Sequence, residues 1–205
     1  LTHLAITDHD RIDGALEARA AAPAGLTVIV GEEVRTRDGD LICLFLTEAI
    51  PPGLPAVEAI AAARAQGGLV GIPHPFDRLR GSLLRDPAME ALASSVDWVE
   101  THNARLLGGG NDRALEYARE HGLPGVAVSD AHSILEVAVA YTRLEGDPGT
   151  AAGLLAALAG GQLVPGRASF VIRAWTPMAK LVQRARGNRR VAWTAGPGTG
   201  RRELP

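Results

Sequence analysis

The chain has 205 residues, a length that suits one domain with a sizeable buried core. A formal net charge of -2, from 21 Lys+Arg against 23 Asp+Glu, and an aromatic content of 4% argue against a general nucleic-acid binder or a base-stacking platform. The single cysteine, Cys43, excludes an intramolecular disulfide and fits a reducing cytoplasm, and no apolar run reaches the roughly 20 residues of a membrane span.

In chain order, residues 4–6 form a short apolar run that stops at Thr7-Asp8-His9-Asp10. Residues 12–22 have helical composition, with Asp10 or Asp13 suited to cap the helix. The next apolar run, 26–30, stops at Gly31-Glu32-Glu33, and Asp38-Gly39 signals a hairpin turn between 34–36 and 41–46. A proline-rich loop leads to a helix over 56–66, which Gly67-Gly68 ends. The run 69–72 stops at Pro73-His74-Pro75-Phe76, and 77–85 is basic and irregular, an ordered surface loop. A short helix is expected at 89–93, then a strand at 96–99 ending in Glu100-Thr101-His102-Asn103. A helix over 111–121 precedes a strand over 125–128 that ends in Ser129-Asp130-Ala131-His132. The region 137–144 is expected to hold one more strand and 150–159 a helix. An amphipathic helix is expected over 175–186, and the Gly/Arg-rich remainder, 187–205, as a disordered tail.

Strands alternating with helices at this spacing predict βα units and a parallel sheet, in which function collects at the carboxyl ends of the strands. His9, Glu33, His74, Asn103, Asp130 and His132 all fall at such ends. Period-two geometry would send Asp130 and His132 the same way if the strand conformation continued. Three imidazoles and two carboxylates make a mixed N/O set that suits Mn, Fe or Zn, and a carboxylate such as Glu33 could bridge two ions. Asn103 reads equally as a ligand or substrate contact and as a turn residue. Arg78, Arg80 and Arg105 lie in loops after ligand-bearing strands, where a guanidinium can fork onto a phosphate. His3, His102 and His121 read as structural, His121 as a cation at a helix C-terminus, and Cys43 as a small core residue.

The motifs Leu-Ala-Ile-Thr-Asp-His-Asp, Gly-Glu-Glu-Val, Pro-His-Pro-Phe, Val-Glu-Thr-His-Asn and Ser-Asp-Ala-His occur in that order between residue 1 and about 144. As an ordered set they resemble the PHP (polymerase and histidinol phosphatase) family, and its small stand-alone members in particular. The resemblance implies a distorted (β/α)7 TIM-like barrel that carries two or three divalent ions (Mn, Fe or Zn) and hydrolyses phosphoesters. Under it, His9 matches the motif's strand-end histidine, Glu33 its bridging glutamate, and His74 the histidine of its His-Pro motif. Asp130 and His132 match its closing Asp-x-His. The family opens with a strand bearing His-x-His, whereas Leu1-Thr2-His3 matches the second strand, so the first βα unit is expected to be missing from the barrel. Many members also carry a ligand histidine on the strand after the glutamate, and its place here falls near Ile42-Cys43.

The expectation is thus a cytoplasmic metallophosphoesterase domain over 1–174. Metal-bound hydroxide would attack a phosphate monoester or terminal phosphodiester of a nucleotide, short oligonucleotide or small phosphorylated metabolite. His74 or Asp130 would handle protons, and the loop arginines would orient the phosphate. No stable nucleic-acid or membrane binding is expected, and oligomeric state is not legible. Two other readings stand beside it: a truncated, inactive barrel serving as a binding or regulatory module, and an amidohydrolase-type metallohydrolase acting on C–N bonds.

Overall fold

A computed structural model describes residues 1–77 and 86–169. The expected helix over 175–186, the tail beyond it, Arg78 and Arg80 lie outside those residues. Six strands form one sheet in which chain order is also spatial order: β1 (His3–Ile6), β2 (Thr27–Arg35), β3 (Asp40–Leu44), β4 (Leu69–Ile72), β5 (Trp98–Asn103) and β6 (Gly125–Val128). The helices are α1 (Asp13–Ala20), α2 (Ala56–Ala65), α3 (Asp86–Leu92), α4 (Gly110–Glu120) and α5 (Ala151–Leu158). A second, two-stranded antiparallel sheet pairs β7 (Tyr141–Arg143) with β8 (Gln162–Val164), a strand the sequence did not signal. It is tied to β6 by Thr142, whose hydroxyl accepts from the Ala127 amide at 2.9 Å. The described residues form a curled half-barrel in place of the complete seven-stranded barrel that the resemblance implies. Among them, no helix is long and apolar enough to cross a membrane.

The sheet is mixed where βα alternation predicted a parallel one. β1–β2, β4–β5 and β5–β6 pair in parallel, but β3 runs antiparallel to both its neighbours. The reason is the turn at Asp38-Gly39, where Gly39 has φ 141°: a tight hairpin can only return the chain antiparallel. The hairpin also carries β2 past Gly31-Glu32-Glu33, so both glutamates lie inside a nine-residue strand and not after it. β5 likewise extends through Asn103.

Period two along β2 sorts its side chains between two cores. Val30 and Val34 join Leu41, Cys43, Val70, Ile72 and Val99 against α1, α2 and α4, through residues such as Ala15, Ala59, Ala63 and Tyr117. On the other face Ile29, Ile42, Leu44, Leu69, Trp98 and Val126 pack with Leu154 and Leu158 of α5. Gly71 has a packing reason: a Cβ there would lie 2.1 Å from Cε2 of Trp98, so the indole occupies the space of the missing side chain. Cys43 is fully enclosed and its thiol is pushed up to about 12, chiefly by burial, as a core residue requires.

Two expected caps are not used. The position before α1 is Ile12, with no side-chain hydrogen bond. Asp13 instead pairs with Arg11, and Asp10 accepts from the Arg35 amide at 3.0 Å and its Nε at 2.6 Å. Thr150 does cap α5, accepting from the Gly153 amide at 3.1 Å.

Candidate metal centre

Glu33 stands at the middle of the site. Its register partner on β3 is Ile42, so its side chain shares the inner face with Ile42, while Glu32, paired with Cys43, points into the helix-side core. The segment after β1 lies alongside it: His9 forms a parallel bridge to Glu33, and the Glu33 amide donates to the Asp8 carbonyl at 3.1 Å. Each carboxylate oxygen of Glu33 meets one imidazole. Oε2 is 3.5 Å from His9 Nε2 and Oε1 is 3.0 Å from His74 Nε2. Glu32 is enclosed, and its Oε2 accepts from the Ile50 amide at 2.8 Å. Burial, with the nearby Asp10 charge, pushes its carboxyl up to about 7.

A third group converges here that the sequence reading did not single out. Asp40 opens β3 and sits two residues before Ile42, which places it on the Glu33 face, and it is buried. His9, Glu33 and Asp40 each offer a ligand atom, and these atoms lie within 4.8 Å of one another. The third donor near Glu33 is thus Asp40, while Ile42 and Cys43, where the resemblance places a further histidine in many members, are core. The aspartate next to the hairpin turn read as turn chemistry, which concealed it.

Beyond Glu33 the site continues through β5. The His74 amide donates to Glu100 Oε2 at 2.8 Å, and Asn103 Nδ2 donates to the same oxygen at 3.0 Å and to Asp130 Oδ2 at 3.2 Å. Asn103 Oδ1 is occupied by the Arg105 amide at 2.9 Å. Asn103 thus turns its donor toward two carboxylates and its carbonyl away, which is the arrangement of a brace and not of the expected ligand. Burial raises the Glu100 carboxyl, with the His74 contact opposing the shift. Glu100 was read only as part of a strand-ending motif, and its position inside β5 shows its use.

Asp130 and His132 do not continue β6 as an extended pair. Asp130 has φ 48°, and His132 Nδ1 donates back to the Asp130 carbonyl at 2.9 Å. That bond fixes the tautomer and leaves Nε2 with its lone pair. Asp10 (φ 57°), His74 (φ 28°) and Asp130 (φ 48°) all adopt backbone that non-glycine residues rarely hold, and all three lie in the loops at this site.

Arg105 is committed to a protein partner: its guanidinium contacts the fully enclosed Glu136. His3, His102 and His121 behave structurally. His3 faces Asp147 at 3.5 Å, and His102 Nε2 donates to the Gly166 carbonyl at 2.8 Å. His121 follows α4 with Nδ1 donating to the Tyr117 carbonyl at 2.9 Å, a contact that raises its pKa together with Glu90.

A solved structure with the same architecture is that of a two-domain protein of Bacteroides vulgatus containing a predicted PHP-like metal-dependent phosphoesterase. It matches at TM-score 0.67 and 18% identity over 81% of this chain and 56% of that one. The fold is PHP-like. A family model described as PHP-associated also matches residues 108–163. A lesion-specific endonuclease of Pyrococcus furiosus is also similar in structure, at TM-score 0.58 and 18% identity over 80% of this chain and 49% of that one. Among curated proteins, an uncharacterized protein of Methanocaldococcus jannaschii is 42% identical over 119 residues, which is 56% of this chain and 50% of that protein. A second uncharacterized protein of the same organism is 37% identical over 107 residues, 49% of this chain and 57% of its own length. The chain therefore spans about half the length of the curated relatives it matches.

Proposed function

We propose that this chain carries the catalytic centre of a divalent-metal-dependent phosphoesterase acting on a phosphate monoester or a terminal phosphodiester. The observation that carries the reading is Glu33, one oxygen toward His9 and the other toward His74, with Asp40 converging on the His9 side in a PHP-like fold. A set of imidazole and carboxylate donors fits Mn, Fe or Zn, and no reading of it needs a thiolate. His9, Glu33 and Asp40 would hold one ion, and His74, Asp130 and His132, the last through Nε2, would serve a second.

Divalent ions in such a site supply Lewis acidity toward phosphate oxygens and make water acidic near neutral pH. The protein's own part is orientation and proton handling. His74 is 3% exposed and held through both its amide and its ring, so it is a holding residue. Asp130, at the more open end of the site and steadied by Asn103, is the carboxylate that takes or returns a proton. Arg105 is engaged by Glu136, so any role of Arg78 or Arg80 in phosphate orientation is the remaining proposal from the loop arginines. Nucleotides, oligonucleotide ends and small phosphorylated metabolites are the substrate classes to screen.

The test is elemental analysis and phosphoester turnover of the metal-loaded chain, with Asp130→Ala and Glu33→Gln alongside. Both variants should lose bound metal, and Asp130→Ala should lower kcat at least 100-fold. Full turnover by a metallated Asp130→Ala chain would sink the assignment.

A further inference from the structure

We infer that Asp40 sets the metal preference of the Glu33 site. The inference rests on the metal reading above and goes beyond it, from which residues hold an ion to which ion they prefer. His9 supplies one imidazole, and Glu33 and Asp40 supply two carboxylates, with their ligand atoms within 4.8 Å of one another. Both carboxylates are buried, and Asp40 is only 2% exposed. The donor set also has a chemical bias. Carboxylate oxygen suits hard ions such as Mn2+, whereas imidazole suits Zn2+ better, so replacing the Asp40 oxygen by a ring nitrogen should move the site toward Zn2+.

The fold supports a specific role for this one residue. Asp40 is the first residue of β3, directly after the Asp38-Gly39 turn and opposite Arg35 in the ladder. Its backbone is fixed by pairing, so its side chain reaches the site by strand geometry, on the same face as Glu33. A substitution at this position changes the chemistry of the donor while the ladder around it is kept.

The experiment uses the metal-stripped 205-residue chain, titrated calorimetrically with Mn2+ alone and with Zn2+ alone, with the Mn2+ electron paramagnetic resonance spectrum recorded in parallel. Asp40→His should lower the ratio of Mn2+ to Zn2+ affinity at least tenfold and change the Mn2+ spectrum. Should Asp40→His fail to fold, Asp40→Asn serves: it should lose Mn2+ affinity at least tenfold and lose less for Zn2+. Folded variants with an unchanged affinity ratio and spectrum would overturn the inference while leaving the phosphoesterase reading in place. If His9→Ala and Glu33→Gln also bind both ions as the parent does, the site holds no metal and both readings fall together.

Discussion

Glu136, fully enclosed, contacts the Arg105 guanidinium through Oε1, while its Oε2 accepts from the His132 amide and the Ser133 hydroxyl, each at 3.0 Å. One side chain thereby ties the loop bearing Asp130 and His132 to the end of β5. Breaking a buried pair leaves an uncompensated charge, so Glu136→Ala should cost about 3 kcal/mol, measured by urea unfolding. Glu136→Gln keeps an acceptor for the His132 amide and should cost less. Equal costs for the two would show that the ion pair with Arg105 contributes nothing beyond packing.

Glu32 predicts a pH dependence with a definite sign. Its folded pKa, about 7, lies above the ordinary 4.5, so the folded chain holds a proton that the unfolded chain releases. Its contribution to stability is complete below about pH 4.5 and is lost as pH rises through about 7. Glu32→Gln should therefore become progressively more stable than the parent between pH 5 and pH 8, measured in chelator so that metal binding does not intervene. A pH-independent difference would contradict the burial of an ionisable group there.

Gly71 and Trp98 predict a coupled pair. A Cβ at position 71 would lie 2.1 Å from the indole, so Gly71→Ala should cost about 2–3 kcal/mol through overpacking. Adding Trp98→Leu should recover part of that loss, since contacting residues are not additive. Strict additivity in denaturant melts would argue against the contact.

Ala138 has φ 64°, a conformation that a Cβ disfavours. Ala138→Gly should stabilise the chain by about 1 kcal/mol, the relief of left-handed backbone outweighing the added freedom of the unfolded state. Thermal unfolding is the measurement, and a lower Tm would be the contrary outcome.

How far the sequence could be read depended on range. Short apolar runs located β1, β4 and β6, and Asp38-Gly39 announced the hairpin, because these signals are local. The resemblance pointed to His9, Glu33 and His74, which do converge. Choosing Glu33 over Glu32 requires knowing that β2 runs through both, since adjacent strand residues face opposite sides. Asp40 and Glu100 were obscured because each belongs to a segment with an ordinary local explanation, a turn and a strand end, and Glu136 because it is a lone acid in the apolar stretch 134–140. Their roles come from partners far along the chain, such as Arg105 for Glu136, and composition carries no record of such pairings.

Chain order and sheet order coincide from β1 to β6, and this bears on how the protein is made. Among the described residues, each strand from β2 to β6 pairs with the one made just before it. Pairing in chain order lets the sheet be built outward from its N-terminal strands, although each parallel pair still closes a loop of more than twenty residues. The residues around Glu33, supplied by positions 9 to 74, can gather while the segment bearing Asp130 is still being synthesised. That half of the centre would have ligand chemistry to offer before the domain is complete.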